Sequence, residues 1–595
     1  MRSAKIVCTL GPSSETEDRI EALADAGMSV ARMNASHGST EHRRELIDRI
    51  RSVDRRTESP VAAMLDLPGP EVRTAPIREP IRLEGGTTVR FVEGDTATSE
   101  EVGVSHDLSA VEPGDVVLLD DGRIETTVES VADGIVTAHV ENGGKLGARK
   151  GVNVPGVDLD LPVITEQDRA ELRVAAEKEV DFVAASFVRD GKDVYRISGA
   201  LEELDADIPI IAKIEREVAV ENLDSIIDAA YGVMVARGDL GVECPLEDVP
   251  MIQKRIIRKC HEAGVPVITA TEMLDSMVHE RRPTRAEASD VANAVLDGTD
   301  AVMLSGETAI GDHPVRVVET MDRIVRDVEG SPEYDENREQ RVPTADETRT
   351  DALARSARFL ARDIDATTIV AASESGYTAL KAAKFRPSIP IVASTPSETV
   401  RRRLALSWGI IPKTSPYTAD GADAVINNAV QSALETGAAE SGDTVVVLSG
   451  MMTELEGVNT ANTLKVHVAS ETIATGRPVV EGIVSGELHW VDDGDLSEVP
   501  AGTILAVPEG FDGEFTGDVE KLAGIIDRHE GMTSYAAIVA REVDIPMIAD
   551  ATLSRDVASG TVVTLDAERG IVYDEAIQNR AAERLAERKG ERLSR

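Results

Sequence analysis

The sequence predicts an α/β protein: a (β/α)8 barrel interrupted by an all-β insertion, then an open α/β domain and a further C-terminal domain. Three observations predict it. Apolar runs suited to buried strands alternate with stretches of helical spacing through the first half of the chain. In succession, Pro209–Glu215, Gly232–Gly241, Pro266–Met273 and Ala301–Thr308 share one plan, an apolar strand with charged or hydroxyl groups at its C-terminal end. In a closed parallel barrel those ends line one mouth, where active sites are built. The rhythm breaks between Val72 and Val154, where turn signals such as Glu84-Gly85-Gly86, Asp121-Gly122 and Asn142-Gly143-Gly144 leave no room for a long helix.

Taken in order, Lys5–Leu10 reads as the first strand, followed by a helix over Glu15–Ala26 that Gly27 closes. Ser29–Asn34 is the second strand, with Ala35–Gly38 as its exit loop, then a helix over Thr40–Val53 and a third strand over Pro60–Asp66. After the insertion, a helix over Glu166–Glu179 is capped by Thr165, and Asp181–Phe187 is strand four. Helices over Val194–Leu204, Val220–Ala229, Pro250–Ala263, Arg285–Asp297 and His313–Val328 cover the outside, and Arg237–Gly241 reads as a polar turn. Residues 331–346 are charged and poor in apolar side chains, which suits a linker. Thr368–Ala372, Ile391–Ala393 and Thr444–Leu448 are strands of the open α/β domain. In the last domain Asp518–Arg528 reads as a helix, Ile545–Ala549 and Thr561–Leu565 as strands, and Ala576–Arg595 as a charged, Ala-rich helix. The expected boundaries are 1–71 with 155–335 for the barrel, 72–154 for the insertion, 347–470 for the α/β domain and 476–580 for the last.

Composition bounds the function. Acidic residues number 107 against 63 basic ones, a formal net charge of -44 spread along the chain. Such a surface repels phosphate backbones, which excludes non-specific nucleic-acid binding, and suits concentrated salt, where its self-repulsion is screened. A halophilic cytoplasm is the expected setting. The three cysteines, Cys8, Cys244 and Cys260, form no C-x-x-C pair, so a disulfide framework or structural zinc site is not expected. No stretch approaches a membrane span and no signal h-region follows Met1-Arg2-Ser3.

The strand ends supply the chemistry. Glu215 and Asp239, after neighbouring strands, are hard oxygen donors suited to Mg2+ or Mn2+. Lys213 lies two residues before Glu215, on the same side of the strand, where its charge needs a carboxylate or an anionic substrate. Arg32 and Arg73 can clamp a second anion. Asn34, Ser36 and Asp66 offer oxygens with a single formal charge, which suits K+. Thr271 offers a hydroxyl able to relay a proton through water. The hydroxyl- and glycine-rich turn Ser373-Glu374-Ser375-Gly376-Tyr377-Thr378 precedes a helical stretch and can cradle a phosphate. No Ser/His/Asp nucleophilic triad is apparent. The set suits metal-assisted phosphoryl transfer to or from a small anion, with the β insertion as a lid that excludes water.

These residues sit in segments that closely resemble pyruvate kinases, and with the acidic composition the expected type is haloarchaeal: Lys5–Ser13, Ala26–Gly38, Gly69–Thr74, Lys150–Gly156, Ala212–Glu215, Met234–Gly241, Thr271–Asp275, Arg282–Glu287, Ser289–Ala294 and Met303–Thr308. The resemblance covers roughly residues 1–470 and implies a TIM barrel with an inserted β-barrel lid domain and an α/β regulatory domain. It implies phosphoryl transfer from phosphoenolpyruvate to ADP, giving pyruvate and ATP, with Mg2+ on Glu215 and Asp239 and Lys213 stabilising the phosphoryl group. The backbone of Gly238 and Asp239, with Thr271, would hold the substrate carboxylate. Arg32, Asn34, His37, Arg73 and Lys150 match substrate- or nucleotide-contacting positions. Asn34, Ser36, Asp66 and the carbonyl of Leu67 match a K+ site. A homotetramer, and a phosphorylated effector on Ser373–Thr378, are further implications.

Three departures accompany the resemblance. The family run Asp-Thr-Lys-Gly-Pro-Glu is here Asp66-Leu67-Pro68-Gly69-Pro70-Glu71, and Glu272 replaces the glutamine that usually follows the threonine. The C-terminal domain resembles the phosphohistidine mobile domain of phosphoenolpyruvate-using enzymes through Gly531–Ile538 and Ile545-Pro546, but Tyr535 stands at the position of the phosphorylated histidine. A structural or regulatory role, without a phosphohistidine relay, is therefore expected there. Two other readings of the whole chain are a metal-dependent aldolase or lyase, which needs no ADP, and a non-catalytic metabolite sensor.

Overall fold

The computed structural model describes residues 2–346, 348–416, 422–450, 461–470, 472–491, 493–553 and 557–574. They fall into two compact units, one built on residues 1–352, 374–388 and 397–412, the other on 353–373, 389–396 and 413–595.

In the first unit the strands Lys5–Thr9, Val30–Asn34, Ala62–Asp66, Phe182–Ala185, Ile210–Ile214, Gly232–Ala236, Val267–Ala270 and Ala301–Leu304 form a closed parallel barrel in chain order, sealed where Lys5 pairs with Ala301. Strands buried on both faces need apolar side chains at every position, which is why these runs lack polar alternation. Val7, Val30, Met64, Phe182, Ile211, Met234, Ile268 and Met303 fill the barrel interior. Their sequence neighbours, such as Ile6, Cys8, Ala63 and Ile210, join the layer packed under the helices. Local signals set the helix ends. Thr165 with Asp168, and Thr284 with Glu287, form reciprocal capping boxes before Glu166–Glu177 and Arg285–Asp297. Helix Val249–Ala263 stops at Gly264, whose φ of 74° only glycine adopts without strain.

Three expectations need correction in this unit. Val220–Ala229 is two short helices, Glu217–Glu221 and Leu223–Ala229, broken at Asn222. The stretch after strand six is a helix, Arg237–Glu243, not a turn, so the Asp239 carboxylate projects from a first helical turn. The proposed linker contains helix Pro332–Gln340, started by the Ser331 hydroxyl accepting from Tyr334 N–H. One apolar anchor suffices for it: Tyr334 is buried and its hydroxyl accepts from the Trp408 indole at 2.9 Å.

The insertion is all β, as expected. Its six-stranded sheet runs in the order Val152–Asn153, Val116–Leu119, Ile124–Ala132, Ile135–Asn142, Thr88–Glu93, Glu101–Val104. Arg73 bridges to Gly151 beside one edge and Thr74 to Val104 on the other, so the entering chain joins both edges and curls the sheet into a small barrel. Phe91, Val117, Val128 and Val140 are among its core residues.

In the second unit Ile391–Thr395, Thr368–Ala372 and Thr444–Ser449 are adjacent and parallel, and Thr463–Val468 adds to them antiparallel. A second closed barrel follows, in the order Thr472–Val480, Met547–Leu553, Gly524–Asp527, Ile504–Val507, Ile483–Trp490, Val562–Asp566, Ile571–Asp574. The helix expected over Asp518–Arg528 is absent, because Gly524–Asp527 is a buried strand of this barrel. Space forces it: a Cβ on Gly524 would lie 2.8 Å from Leu565 and 3.0 Å from Val484. The helix expected over Ala576–Arg595 lies outside the described residues. Among the described residues, no helix is long and apolar enough to cross a membrane.

Candidate active site

The C-terminal ends of strands one to five bring a chain of charges together. Arg32 at strand two donates from Nε to Asp66 Oδ2 at 2.6 Å, and from Nη1 to the Thr9 hydroxyl at 2.9 Å. Asp66 Oδ1 lies 3.4 Å from Lys213 Nζ, which lies 2.7 Å from Glu215 Oε1. Glu215 Oε2 accepts the Phe187 backbone N–H at 2.6 Å. The Lys213 side chain is only 11% exposed and the two carboxylates 1–2%, so no water shell offsets these charges and each is held by the next. Burial works against the lysine's charge, but Asp66, then Glu215 and Asp239, more than offset it and hold the ammonium above its ordinary range. Asp66 is likewise buried, and Arg32 and Lys213 keep its carboxyl below the usual value.

Ser186, which the sequence reading included only as part of a strand, stands at the centre. Its hydroxyl accepts from Lys213 Nζ at 2.7 Å and donates to the Leu67 carbonyl at 2.7 Å. Asn34 and Asp66 are register partners at the ends of strands two and three, and Asn34 Oδ1 accepts the Ser36 N–H at 3.0 Å. Asn34, Ser36, Asp66 and the Leu67 carbonyl thus sit on adjoining strand ends, an all-oxygen set that fits a monovalent cation.

Asp239 differs from the other acids. Its carboxylate has no hydrogen bond or ion pair among the described residues, and the residue is exposed. Loss of surrounding water, then the charge of Glu215, push it above the usual carboxylate range, with Glu71 and Asp121 adding to the effect and Lys213 opposing it. Its exposure tempers the shift; the direction follows from the clustered acids. Excess negative charge with an unspent carboxylate fits a divalent cation that takes few protein ligands and keeps waters and substrate oxygens. Among the described residues, no three or more His, Cys, Asp or Glu side chains form a closed metal cage.

The strand-seven loop closes against this group. Thr271 and Glu272 both adopt left-handed backbone, with φ of 74° and 55°. A Cβ on Gly238 would meet Thr271 Cγ2 at 2.8 Å, so glycine is required for the loop to approach. Arg237, also not singled out from sequence, donates to the carbonyls of Ala270 at 3.0 Å and Thr271 at 2.6 Å, and to Asp290 at 2.7 Å. It is the clamp that holds a strained pair of residues in place. A charged residue directly after a buried strand was the signal that could have found it.

The remaining candidates lie farther out. Arg73 pairs with Glu71 at 2.5 Å, and Lys150 with Asp120 at 2.7 Å, both on segments of the insertion or its edge. His37 is exposed, and its carbonyl accepts from Arg43 at 2.6 Å. Among the described residues, none of these three side chains makes a hydrogen bond or ion pair with the Lys213 cluster. In the turn Ser373–Thr378, Gly376 has a φ of 82° and caps helix Tyr377–Lys384. Tyr535 opens helix Tyr535–Val543, is 40% exposed and rests on Phe515 with ring centroids 5.6 Å apart.

Comparison with known proteins gives this geometry a family. Residues 1–318 match the model for the pyruvate kinase barrel domain, 351–467 that for the pyruvate kinase alpha/beta domain, and 499–570 that for the mobile domain of PEP-utilising enzymes. A pyruvate kinase of Staphylococcus aureus is 42% identical over 585 residues, covering 96% of this chain and 99% of that protein. One of Staphylococcus epidermidis is 42% identical over 588 residues, with the same coverage. The crystal structure of a pyruvate kinase from Cryptosporidium parvum, 38% identical, superposes with a TM-score of 0.73 over 79% of this chain and 96% of its own. The curated relatives named are bacterial, so the haloarchaeal expectation gains nothing from them and rests on charge alone. The chain belongs to the pyruvate kinase family, a family of phosphotransferases, and carries a C-terminal PEP-utilising mobile domain.

Proposed function

We propose that the chain transfers the phosphoryl group of phosphoenolpyruvate to ADP, yielding pyruvate and ATP. The observation that carries this reading is the ammonium of Lys213, held charged between Asp66 and Glu215 beside the unspent Asp239. A phosphoryl group in transit spreads charge over its oxygens, and a fixed ammonium in a dry mouth is strongest there. The backbone of Gly238 and Asp239, with the Thr271 hydroxyl, receives the substrate carboxylate. Arg32, already anchored on Asp66 and Thr9, faces the phosphate with Lys213, while Arg73, Asn34, His37 and Lys150 contact the nucleotide. Thr271 orders the water that protonates the enolate carbon. Glu215 and Asp239 would hold Mg2+ or Mn2+, which neutralises phosphate oxygens when bound. Asn34, Ser36, Asp66 and the Leu67 carbonyl would hold K+.

The chain works as a cytoplasmic homotetramer, a reading supported by exposed apolar side chains such as Leu246 and Met251, and takes a phosphorylated effector on Ser373–Thr378. The net charge of -44 supports a salt-rich setting. Replacing KCl with NaCl at equal ionic strength is expected to lower turnover about threefold, whereas equal rates would remove the K+ site and leave only screening. The reaction itself is tested by following pyruvate from phosphoenolpyruvate with and without ADP and Mg2+. Consumption of phosphoenolpyruvate without nucleotide would overturn the assignment in favour of a lyase.

A further inference from the structure

Among the described residues, three side-chain hydrogen bonds lead out of the insertion, residues 72–154: Arg73 to Glu71, His106 to the Leu159 carbonyl, and Asn153 to Glu243. The first two reach the insertion's own flanks. The third crosses to a distant part of the barrel. Asn153 Nδ2 donates to Glu243 Oε1 at 3.1 Å, 90 residues away along the chain.

Both partners stand beside the mouth. Glu243 ends helix Arg237–Glu243, one turn beyond Asp239 and on the same face. Asn153 ends the edge strand Val152–Asn153, three residues after Lys150, and Arg73 bridges to Gly151 along that edge. The bond therefore ties the helix that carries Asp239 to the segment that carries Lys150 and meets Arg73. A carboxylate is kept here at a cost. Burial pushes Glu243 above the usual carboxylate range; Asn153 and the charge of Arg216 oppose the shift, and Glu215 and Glu217 add to it. Arg216 does not close on Glu243. It lies over the Phe187 ring, 4.9 Å from the centroid, and its buried Nε has no hydrogen-bond partner among the described residues. With no cation in contact, the Glu243 carboxylate leans on one donor, the Asn153 amide.

We propose that Asn153 and Glu243 are positioning residues for the nucleotide, a latch that seats the insertion so that Lys150 and Arg73 meet the diphosphate of ADP. This role deepens the phosphotransferase reading above and rests on it for the identity of the nucleotide. Neither residue touches the reacting atoms. Unlatched, the two cations move with the insertion and the diphosphate meets a looser site. The phosphoenolpyruvate side is built on Lys213, Arg32 and Thr271 of the barrel itself, so the latch acts on one substrate of the two.

Steady-state kinetics and spin-label distances on the full chain test it. N153D removes the donor and sets a second carboxylate against Glu243. It should raise KM for ADP at least about tenfold, the worth of one hydrogen bond to a charged group, and leave KM for phosphoenolpyruvate within about twofold. The fall in kcat should be less than about threefold. N153D/E243Q restores one donor and one acceptor in reversed order, and should bring KM for ADP back to within about threefold of wild type. An insertion that was merely misfolded would not recover in this way. Cys8, Cys244 and Cys260 are buried, so nitroxides at E129C on the insertion and E221C on the barrel, both exposed positions, label selectively. Their distance distribution, read by double electron–electron resonance without substrates, should broaden in N153D and narrow again in N153D/E243Q. An unchanged KM for ADP in N153D, a double variant no better than N153D, or one distance distribution shared by all three proteins would each overturn the latch. If the wild type formed no ATP, the nucleotide reading would fall instead, and the spin-label distances would still decide whether the latch exists.

Discussion

Each of the two closed barrels ends a buried strand in carboxylate chemistry and follows it with a helix, but they use the carboxylates differently. At the mouth of the first, Glu215 and Asp66 grip Lys213 from two strands, and Asp239 is left with nothing to hold. In the C-terminal barrel, strand Gly524–Asp527 ends in Asp527, which is fully buried. Its Oδ1 accepts from the His529 backbone N–H at 3.0 Å and from the ring Nδ1 at 2.7 Å, and its Oδ2 from the Ser534 hydroxyl. Ser534 in turn caps helix Tyr535–Val543 by accepting from Ala537 N–H at 3.2 Å. Both Asp527 oxygens and the Ser534 hydroxyl are spent on fixing the strand–helix corner. Tyr535, at the position where the sequence resemblance expects a phosphorylated histidine, leans on Phe515 and offers a phenol instead of an imidazole nitrogen. Convergent polar groups alone therefore do not mark a reacting site. Unsatisfied capacity at the mouth of a cleft does.

That contrast can be broken experimentally. The largest effect belongs to Lys213→Met, which should lower kcat at least about a hundredfold, some 3 kcal/mol of lost charge stabilisation, with a native circular-dichroism spectrum but a lowered melting point, because Asp66 and Glu215 lose their buried partner. Near-normal turnover would place the working cation elsewhere. Asp527→Ala should do the reverse. It strands the donors of His529 and Ser534 and should destabilise the C-terminal barrel by about 2 kcal/mol in urea unfolding, with kcat nearly constant. A smaller effect is expected from Arg237→Gln, which frees the Thr271 carbonyl: kcat/KM for phosphoenolpyruvate should fall about tenfold, mostly in kcat, as expected of a displaced positioning group. The smallest is Tyr535→Phe, which should change steady-state rates by less than about twofold, within the range of neutral surface changes. Intact-mass and peptide spectra taken during turnover should find no phosphate on Tyr535 or His529, and phosphate at either would erase the distinction between the barrels.

Where the sequence was legible, the reason is that two signals agreed. Lys213, Glu215 and Asp239 stand out because charge directly after a strand buried on both faces has few structural uses. The cap at Thr165 places the start of helix Glu166–Glu177 to the residue. The misread elements lack such agreement. Val519, Leu522, Ile525 and Ile526 have helical spacing, yet the packing of Gly524 against Leu565 and Val484 draws the last of them into a strand. Helix Pro332–Gln340 has almost no apolar face and is pinned by the single buried Tyr334. Ser186 and Arg237 act through one hydroxyl and one set of backbone carbonyls, relations that exist only once the strand ends are side by side.

A serine hydroxyl has one hydrogen to give. Ser186 gives it to the Leu67 carbonyl, so toward Lys213 it can only receive. The relay therefore has a fixed polarity, running from the ammonium through the hydroxyl to the carbonyl oxygen. Whatever competes for that oxygen loosens the grip on the hydrogen and changes how well the hydroxyl steadies the lysine. A monovalent cation at the proposed K+ site would then tune the charge of Lys213 without touching it.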